Sequence, residues 1–226
     1  MPLPPAERHP RLAAVRVYFV CEGRPHGSDP ERLLSAALEG GAGMLELRDK
    51  SPQDDQGLID AARPFRDAAA GRGVPFILND RPDLVAECGA DGVHVGQDDT
   101  PVAEGRGRLG IEYVIGLSTH SREQLDAACS APPDARPDYI SVGPVWETPT
   151  KEGRPGTGLD LIEHAAREAT LPWFAIGGID TTNVGDVVAA GAERIVVVRA
   201  IRDAGDPAAA ARALRDAVEA GTGAWR

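Results

Sequence analysis

The residues with chemical potential stand in short polar runs, each closing an apolar run. The longest polar run is 141–158, SVGPVWETPTKEGRPGTG, entered through the apolar residues 139–142. It has no helical period, and so long a polar loop in a compact domain is usually either functional or a mobile surface segment. Thr148 and Thr150 flank Pro149, and Lys151 follows. Two hydroxyl donors beside one point charge suit an anion.

A second run reads Glu46, Leu47, Arg48, Asp49, Lys50. Strand alternation sends Glu46, Arg48 and Lys50 to one side. Two cations and a carboxylate grouped there call for compensation, from a ligand or from an internal ion-pair network. Two further runs carry Asn79 with Asp80, and Asp98 with Asp99. Asp80 with Asp99 or Asp98 matches what magnesium asks of a protein, one or two carboxylates with water and phosphate oxygens filling the rest. Aspartates before helices also serve as N-caps. Beside Arg48, Lys50 and Lys151, a magnesium-bound pyrophosphate accounts for more of the pattern than capping does. Ser118 is placed to donate to a substrate, and Ser121 to cap the next helix. His120 reads as a loop histidine, and no serine–histidine–carboxylate order makes a nucleophile credible. His94 has no assigned chemistry, His164 reads as a helix-surface residue, Trp173 as strand core, and Trp146 as a residue lining the site's mouth.

The elements that must hold these residues alternate. Strands are expected at 15–21, 44–47, 76–78, 92–95, 113–117, 139–142, 173–176 and 194–198. Helices are expected at 30–39, 54–70, 122–129, 159–168, 183–190 and 207–220, with shorter ones after the third and fourth strands. Such alternation implies parallel pairing. The triplets Gly41-Ala42-Gly43, Gly89-Ala90-Asp91 and Gly191-Ala192-Glu193 each close a helix before a strand, glycine fitting the left-handed position after a helix end. Their separations correspond to about 25 residues per βα unit, the size expected of an eightfold barrel. A doubly wound sheet would carry a glycine-rich phosphate turn after its first strand, and 22–27 lacks that form. The expected fold is therefore a single (β/α)8 TIM barrel over 15–220, with a disordered or extended lead-in at 1–14 and a short tail at 221–226. In such a barrel the loops after strands seven and eight form a phosphate cup, which here holds Gly177, Gly178, Val198 and Arg199.

The chain has 226 residues, 42% of them hydrophobic, which suits one large domain. A net charge of −11 argues against a nucleic acid or anionic membrane as partner and requires useful cations to be gathered locally. No apolar run reaches membrane-spanning length, and the first ten residues lack the apolar core of a secretion signal. Three cysteines without metal-ligand spacing point to buried thiols in a reduced, cytoplasmic setting.

Taken together, LELRDK at 45–50, LND at 78–80, GVHVGQDD at 92–99, GLSTHS at 116–121, VGPVWETPTKEGRPGTGL at 142–159, AIGGI at 175–179 and VVVRAI at 196–201 resemble the thiamine phosphate synthase family. The resemblance runs from Tyr18 to Val218. It implies a magnesium-using (β/α)8 barrel that joins hydroxymethylpyrimidine diphosphate to a thiazole phosphate and releases pyrophosphate. It places Glu46, Leu47, Arg48, Asp49, Lys50, Asn79, Ser118 and Lys151 around the pyrimidine and its diphosphate, with Arg48, Lys50, Ser118 and Lys151 as the catalytic set. Asp80 and Asp99 would bind magnesium. Thr148, Pro149, Thr150, Gly178, Val198 and Arg199 would hold the thiazole phosphate. Small-molecule phosphates are thus the expected partners, and a homo-oligomer is left open.

The family usually has glutamine where this chain has Glu46, and serine where it has Arg199. Two other functions fit parts of the pattern: a related thiazole phosphate tautomerase, and a non-catalytic barrel that binds a phosphate ligand. The first would not need the metal carboxylates or the lysine cluster, whereas the departures at Glu46 and Arg199 keep the second open.

Overall fold

A computed structural model of the chain describes residue 12 and residues 14–51, 54–148 and 155–222. The strands are β1 (Val17–Cys21), β2 (Ala42–Leu47), β3 (Phe76–Asn79), β4 (Gly92–Val95), β5 (Val114–Thr119), β6 (Tyr139–Val142), β7 (Trp173–Ile176) and β8 (Ile195–Val197). Each pairs in parallel with the next, and β8 pairs with β1, closing a barrel. The helices are α1 (Glu31–Gly40), α2 (Asp55–Arg72), α3 (Val85–Cys88), α4 (Val102–Leu109), α5 (Arg122–Ser130), α6 (Asp160–Glu168), α7 (Val184–Ala189), α8 (Arg199–Arg202) and α9 (Pro207–Thr222). The expected (β/α)8 architecture is the observed one.

Alternation divides the apolar residues into two layers. Val17, Phe19, Cys21, Leu45 and Leu47 face outward and join one continuous core with the helices. Tyr18, Val20, Met44, Ile77, Val114, Tyr139, Phe174 and Val196 face inward and fill the barrel. Three inward aromatic rings meet edge to face: Tyr18–Phe174 at 5.6 Å, Tyr139–Phe174 at 5.5 Å and Tyr18–Tyr139 at 6.0 Å between centroids. Such pairs add about 0.5–1.5 kcal/mol each beyond area burial, so the barrel interior is a stiff support for its mouth.

The local signals behave as their chemistry dictates. Gly41, Gly89 and Gly191 all adopt left-handed φ (105°, 64° and 102°), and their amides return to the preceding helical turn. The Asp54 carboxylate caps α2 by accepting from the Gly57 amide at 2.8 Å. Ser121 caps α5, accepting from Gln124 N at 3.3 Å.

Three details add to these expectations. Leu12 falls in the expected lead-in, yet it is buried and joins the inward layer with Val15, because the N-terminal end of the barrel needs an apolar plug. At the other end α9 continues to Thr222, two residues into the expected tail. After β8 the chain turns at once into α8, which a four-residue segment is too short to announce by periodicity. Among the described residues, no helix is long and apolar enough to cross a membrane.

Candidate active site

The C-terminal ends of the strands open into one cavity of about 650 Å³. That volume suits a small organic ligand. Its walls are the inward-facing ends of β2, β3, β4 and β5, and its far side is the β7 and β8 ends.

The β2 end behaves as alternation requires. Glu46, Arg48 and Lys50 all line the cavity. Glu46 is buried at the floor, Arg48 is half-buried and Lys50 is exposed at the rim. Leu47 and Asp49 have the opposite parity, and the structure does not bring their side chains to this cavity. Leu47 is buried in the outer apolar layer. Asp49 accepts from Gly23 N at 3.2 Å and Ser51 N at 2.9 Å, tying down the β1 loop.

Asn79 and Asp80 follow on β3. The Asn79 amide donates to the His94 carbonyl at 3.3 Å, and Asp80 N donates to the same carbonyl at 2.9 Å. Asp80 sits at φ 61°, a left-handed conformation that a non-glycine residue adopts at a cost. That conformation aims its carboxylate at the rim, where it pairs with Lys50 Nζ. Burial pushes the Asp80 carboxyl up from the ordinary carboxylate range; Lys50 partly counters this, and the neighbouring Asp99 carboxylate adds to the rise. Asp99 in turn accepts from Gly96 N at 2.8 Å, which folds the 96–99 turn so that its carboxylate meets Asp80. Asp98 also lines the cavity.

Two adjacent carboxylates, one of them raised by burial and by its neighbour, form a site that a divalent cation would complete. Among the described residues no group of three or more His, Cys, Asp or Glu is arranged for a metal. A pair of carboxylates fits magnesium, which keeps most of its shell for water and phosphate, better than it fits zinc.

Ser118 is buried at the floor of the β5 end, and the Gln97 amide donates to its carbonyl at 2.6 Å. His120 donates from Nδ1 to the Gly143 carbonyl at 2.5 Å, strapping the loop that leaves β6. That loop runs beside the β7 end, with Val145 N donating to Ile176 O at 2.8 Å and Trp146 N to Gly177 O at 3.1 Å. Its return is pinned to its start by Thr157 N and Gly158 N, which donate to Pro144 O and Val145 O at 2.7 and 3.0 Å. This stem sets buried Thr148 into the cavity wall. Pro149, Thr150 and Lys151 lie outside the described residues. Trp146, expected at the mouth, instead packs against the outer apolar core, with its Cβ under Gly178.

On the far side, Gly177 and Gly178 both take left-handed φ (105° and 70°). A side chain on Gly177 would collide with Pro144, so glycine is what lets the β6 and β7 loops touch. Asn183 holds the turn by donating to Gly178 O at 2.8 Å. Gly178, Val198 and Arg199 line the cavity together with Thr148. Arg199 is exposed, and it also lines a shallower pocket beside Arg48, Lys50 and Arg202.

Sequence reasoning passed over a buried polar group beneath all of this. Tyr18, Tyr139, His94 and Ser141 are hydrogen-bonded to Glu46 and Ser118 across the floor. The available signal was parity: each is a polar side chain at an inward position of an otherwise apolar strand. His164, read as a surface residue, is mostly covered by its bond to Asp126 between α5 and α6, at 2.9 Å.

Comparison with known proteins agrees with the geometry. The family model described as thiamine monophosphate synthase matches residues 17–201. The chain is 46% identical over 230 residues to the thiamine-phosphate synthase of Arthrobacter sp. (strain FB24), covering 93% of this chain and 97% of that one. It is 44% identical over 213 residues to the thiamine-phosphate synthase of Mycobacterium leprae, covering 90% and 91%. Among solved structures, a thiamine phosphate pyrophosphorylase from Pyrococcus furiosus superposes with a TM-score of 0.80 at 26% identity, over 92% of this chain and 96% of that one. A 3-hexulose-6-phosphate synthase shares the fold alone, with a TM-score of 0.65 at 18% identity. With rim, cup and family model all falling on the same strand ends, the chain belongs to the thiamine monophosphate synthase family and is a transferase.

Proposed function

We propose that the protein condenses hydroxymethylpyrimidine diphosphate with a thiazole phosphate to give thiamine phosphate and pyrophosphate, releasing carbon dioxide as well where the thiazole is carboxylated, with magnesium held by Asp80 and Asp99. The observation that carries this reading is the rim. In a chain of net charge −11, Arg48 and Lys50 converge with two adjacent carboxylates on one side of a cavity, and Thr148, Gly178 and the Val198–Arg199 backbone face them. One side suits a metal diphosphate, and the other suits a second phosphate.

The reaction needs little acid–base chemistry. The methylene C–O bond breaks, and its electron pair leaves with the diphosphate oxygen. The aminopyrimidine ring stabilises the cation left at the methylene carbon. The thiazole nitrogen then attacks that carbon with its lone pair and has no proton to lose. Arg48 and Lys50 supply fixed positive charge where negative charge gathers on the leaving group, which is the larger share of such catalysis. Bound magnesium would supply further charge neutralisation to the pyrophosphate. Asn79 and Ser118 orient the pyrimidine, and Thr148 with the β7 and β8 loops holds the thiazole phosphate for in-line approach. Thr150 and Lys151 extend the anion-binding set. The thiols stand apart from this chemistry: burial pushes Cys21 up to about 12 and Cys88 up to about 11, which suits inert cysteines in a reducing cytoplasm.

Incubation with both substrates and magnesium tests the reading. Thiamine phosphate and pyrophosphate should appear in equal amounts, and excess chelator should stop both. Binding of either substrate without pyrophosphate release would overturn it.

A further inference from the structure

A hydrogen-bonded chain crosses the cavity floor from β2 to β5. The Tyr18 hydroxyl donates to Glu46 Oε2. The Tyr18 and Tyr139 hydroxyl oxygens lie 3.1 Å apart. Tyr139 Oη lies 3.0 Å from His94 Nδ1, and His94 Nε2 lies 2.9 Å from Ser118 Oγ. Ser141 Oγ is 3.4 Å from both His94 Nε2 and Ser118 Oγ. Every member is buried.

Proton counting gives this chain a direction. A carboxylate only accepts, each hydroxyl has one proton, and a neutral imidazole has one N–H. With Tyr18 donating to Glu46, the Tyr18 oxygen accepts from Tyr139. The Tyr139 oxygen then accepts from His94 Nδ1–H. That leaves His94 Nε2 as an acceptor; Ser118, at 2.9 Å, is the nearer donor to it, while Ser141, 3.4 Å from both, donates to the Ser118 oxygen. The oxygen of Ser118 therefore turns its remaining lone pair toward the ligand.

We propose that Glu46, acting through Tyr18, Tyr139 and His94, fixes Ser118 as a hydrogen-bond acceptor and so selects a heterocycle that presents an N–H donor to it. Tyr18, Tyr139 and His94 are positioning residues in this scheme. The identity of the heterocycle as an aminopyrimidine rests on the function proposed above; the direction of the chain does not. Ser118, expected from sequence to donate to the substrate, takes the reverse role. Two observations support the relay. Burial foremost, with the Glu46 charge next, holds both phenols well above their ordinary range, so each keeps its proton. And Gly116 leaves the space the relay occupies: a Cβ there would lie inside the contact shells of the Tyr139 hydroxyl and His94 Nδ1.

The histidine tautomer is the direct test, read by ¹⁵N–¹H NMR on the ligand-free protein at neutral pH, with His94→Asn used for assignment. The wild type should show His94 protonated at Nδ1 only, and Tyr18→Phe, which disconnects Glu46, should shift His94 toward the Nε2–H form. An Nε2–H or doubly protonated His94 in the wild type would overturn the proposal, as would a Tyr18→Phe variant with an unchanged tautomer. A second measurement compares binding of aminopyrimidine monophosphate with its oxo analogue. The wild type should prefer the amino compound by about tenfold or more, and Tyr139→Phe should erase most of that preference. An undiminished preference in the variant would sink the selectivity claim. Because the tautomer is read without substrate, a failure to make thiamine phosphate and a failure of the relay give separate signatures.

Discussion

Two ion pairs at opposite ends of this barrel show how differently one fold uses charge. Arg106 and Asp138 meet at 2.5 Å below the strands, with side chains 7% and 0% exposed. Both are also tied to backbone: Arg106 donates to Tyr113 O at 2.6 Å and Gly110 O at 3.2 Å, and Asp138 accepts from Ile115 N at 2.8 Å. Lys50 and Asp80 meet at the mouth, 54% and 19% exposed. There Asp80 is held in a left-handed conformation beside a second carboxylate. The lower pair joins α4 to the entries of β5 and β6 with its charges matched. Among the described residues, the upper set has two clustered carboxylates with Lys50 paired to one of them and Arg48 lining the same cavity, and its backbone is strained. Matched buried charge belongs to the scaffold, whereas clustered, partly exposed charge on a strained backbone is what a ligand can complete.

The contrast is open to direct attack. Asp138→Ala should cost the most, about 3–5 kcal/mol in denaturant unfolding, because it strands the Arg106 guanidinium in the interior; the folded fraction should turn over normally. Lys50→Ala and Asp80→Asn should do the opposite, lowering kcat by about a hundredfold or more while the melting temperature moves by only a few degrees. If Asp80→Asn unfolded the protein, or Asp138→Ala left stability intact, the division between scaffold and site would fail. A smaller effect comes from the metal: saturating magnesium should raise the melting temperature of the wild type, by about 2.7 kcal/mol of stabilisation at a hundredfold excess over Kd. The shift should vanish in Asp80→Asn and shrink in Asp99→Asn, and thermal scans with and without chelator would reveal it.

The smallest effect is a pH dependence. The Asp80 carboxyl is raised in the folded state, so it holds its proton more tightly there than in the unfolded chain. In metal-free protein its contribution to stability is greatest below the ordinary carboxylate pKa. That contribution is lost as pH rises from there through the raised folded value. Asp80→Asn should therefore gain on the wild type across that window and not below it, measured by unfolding at a series of pH values in chelator. A difference of the opposite sign would mean that Lys50 outweighs burial and Asp99.

Much of this was legible before any coordinates. The strand at 92–95 and the glycine stops at Gly41, Gly89 and Gly191 were readable because alternation and left-handed glycine are local physics. So was the grouping of Glu46, Arg48 and Lys50, which needs only the two-residue repeat of a strand. The same repeat should have set Leu47 and Asp49 apart; a family motif names a contiguous run, but a strand offers only every second side chain to one face. Thr148 reached the cavity as expected, while Trp146, two positions earlier, turned to the core.

The sequence by itself determined the order of elements, the closure into eight βα units and the residue types gathered at each strand end, because these follow from periodicity and turn chemistry along a few residues. Only the tertiary structure decided that Asp80 and Asp99 touch, that Leu12 plugs the barrel, and that Glu46 reaches Ser118 through two tyrosines and a histidine. Those contacts join residues up to 121 positions apart, as between Tyr18 and Tyr139. Their partners are set by strand register around a closed sheet, a quantity that no local stretch of chain encodes.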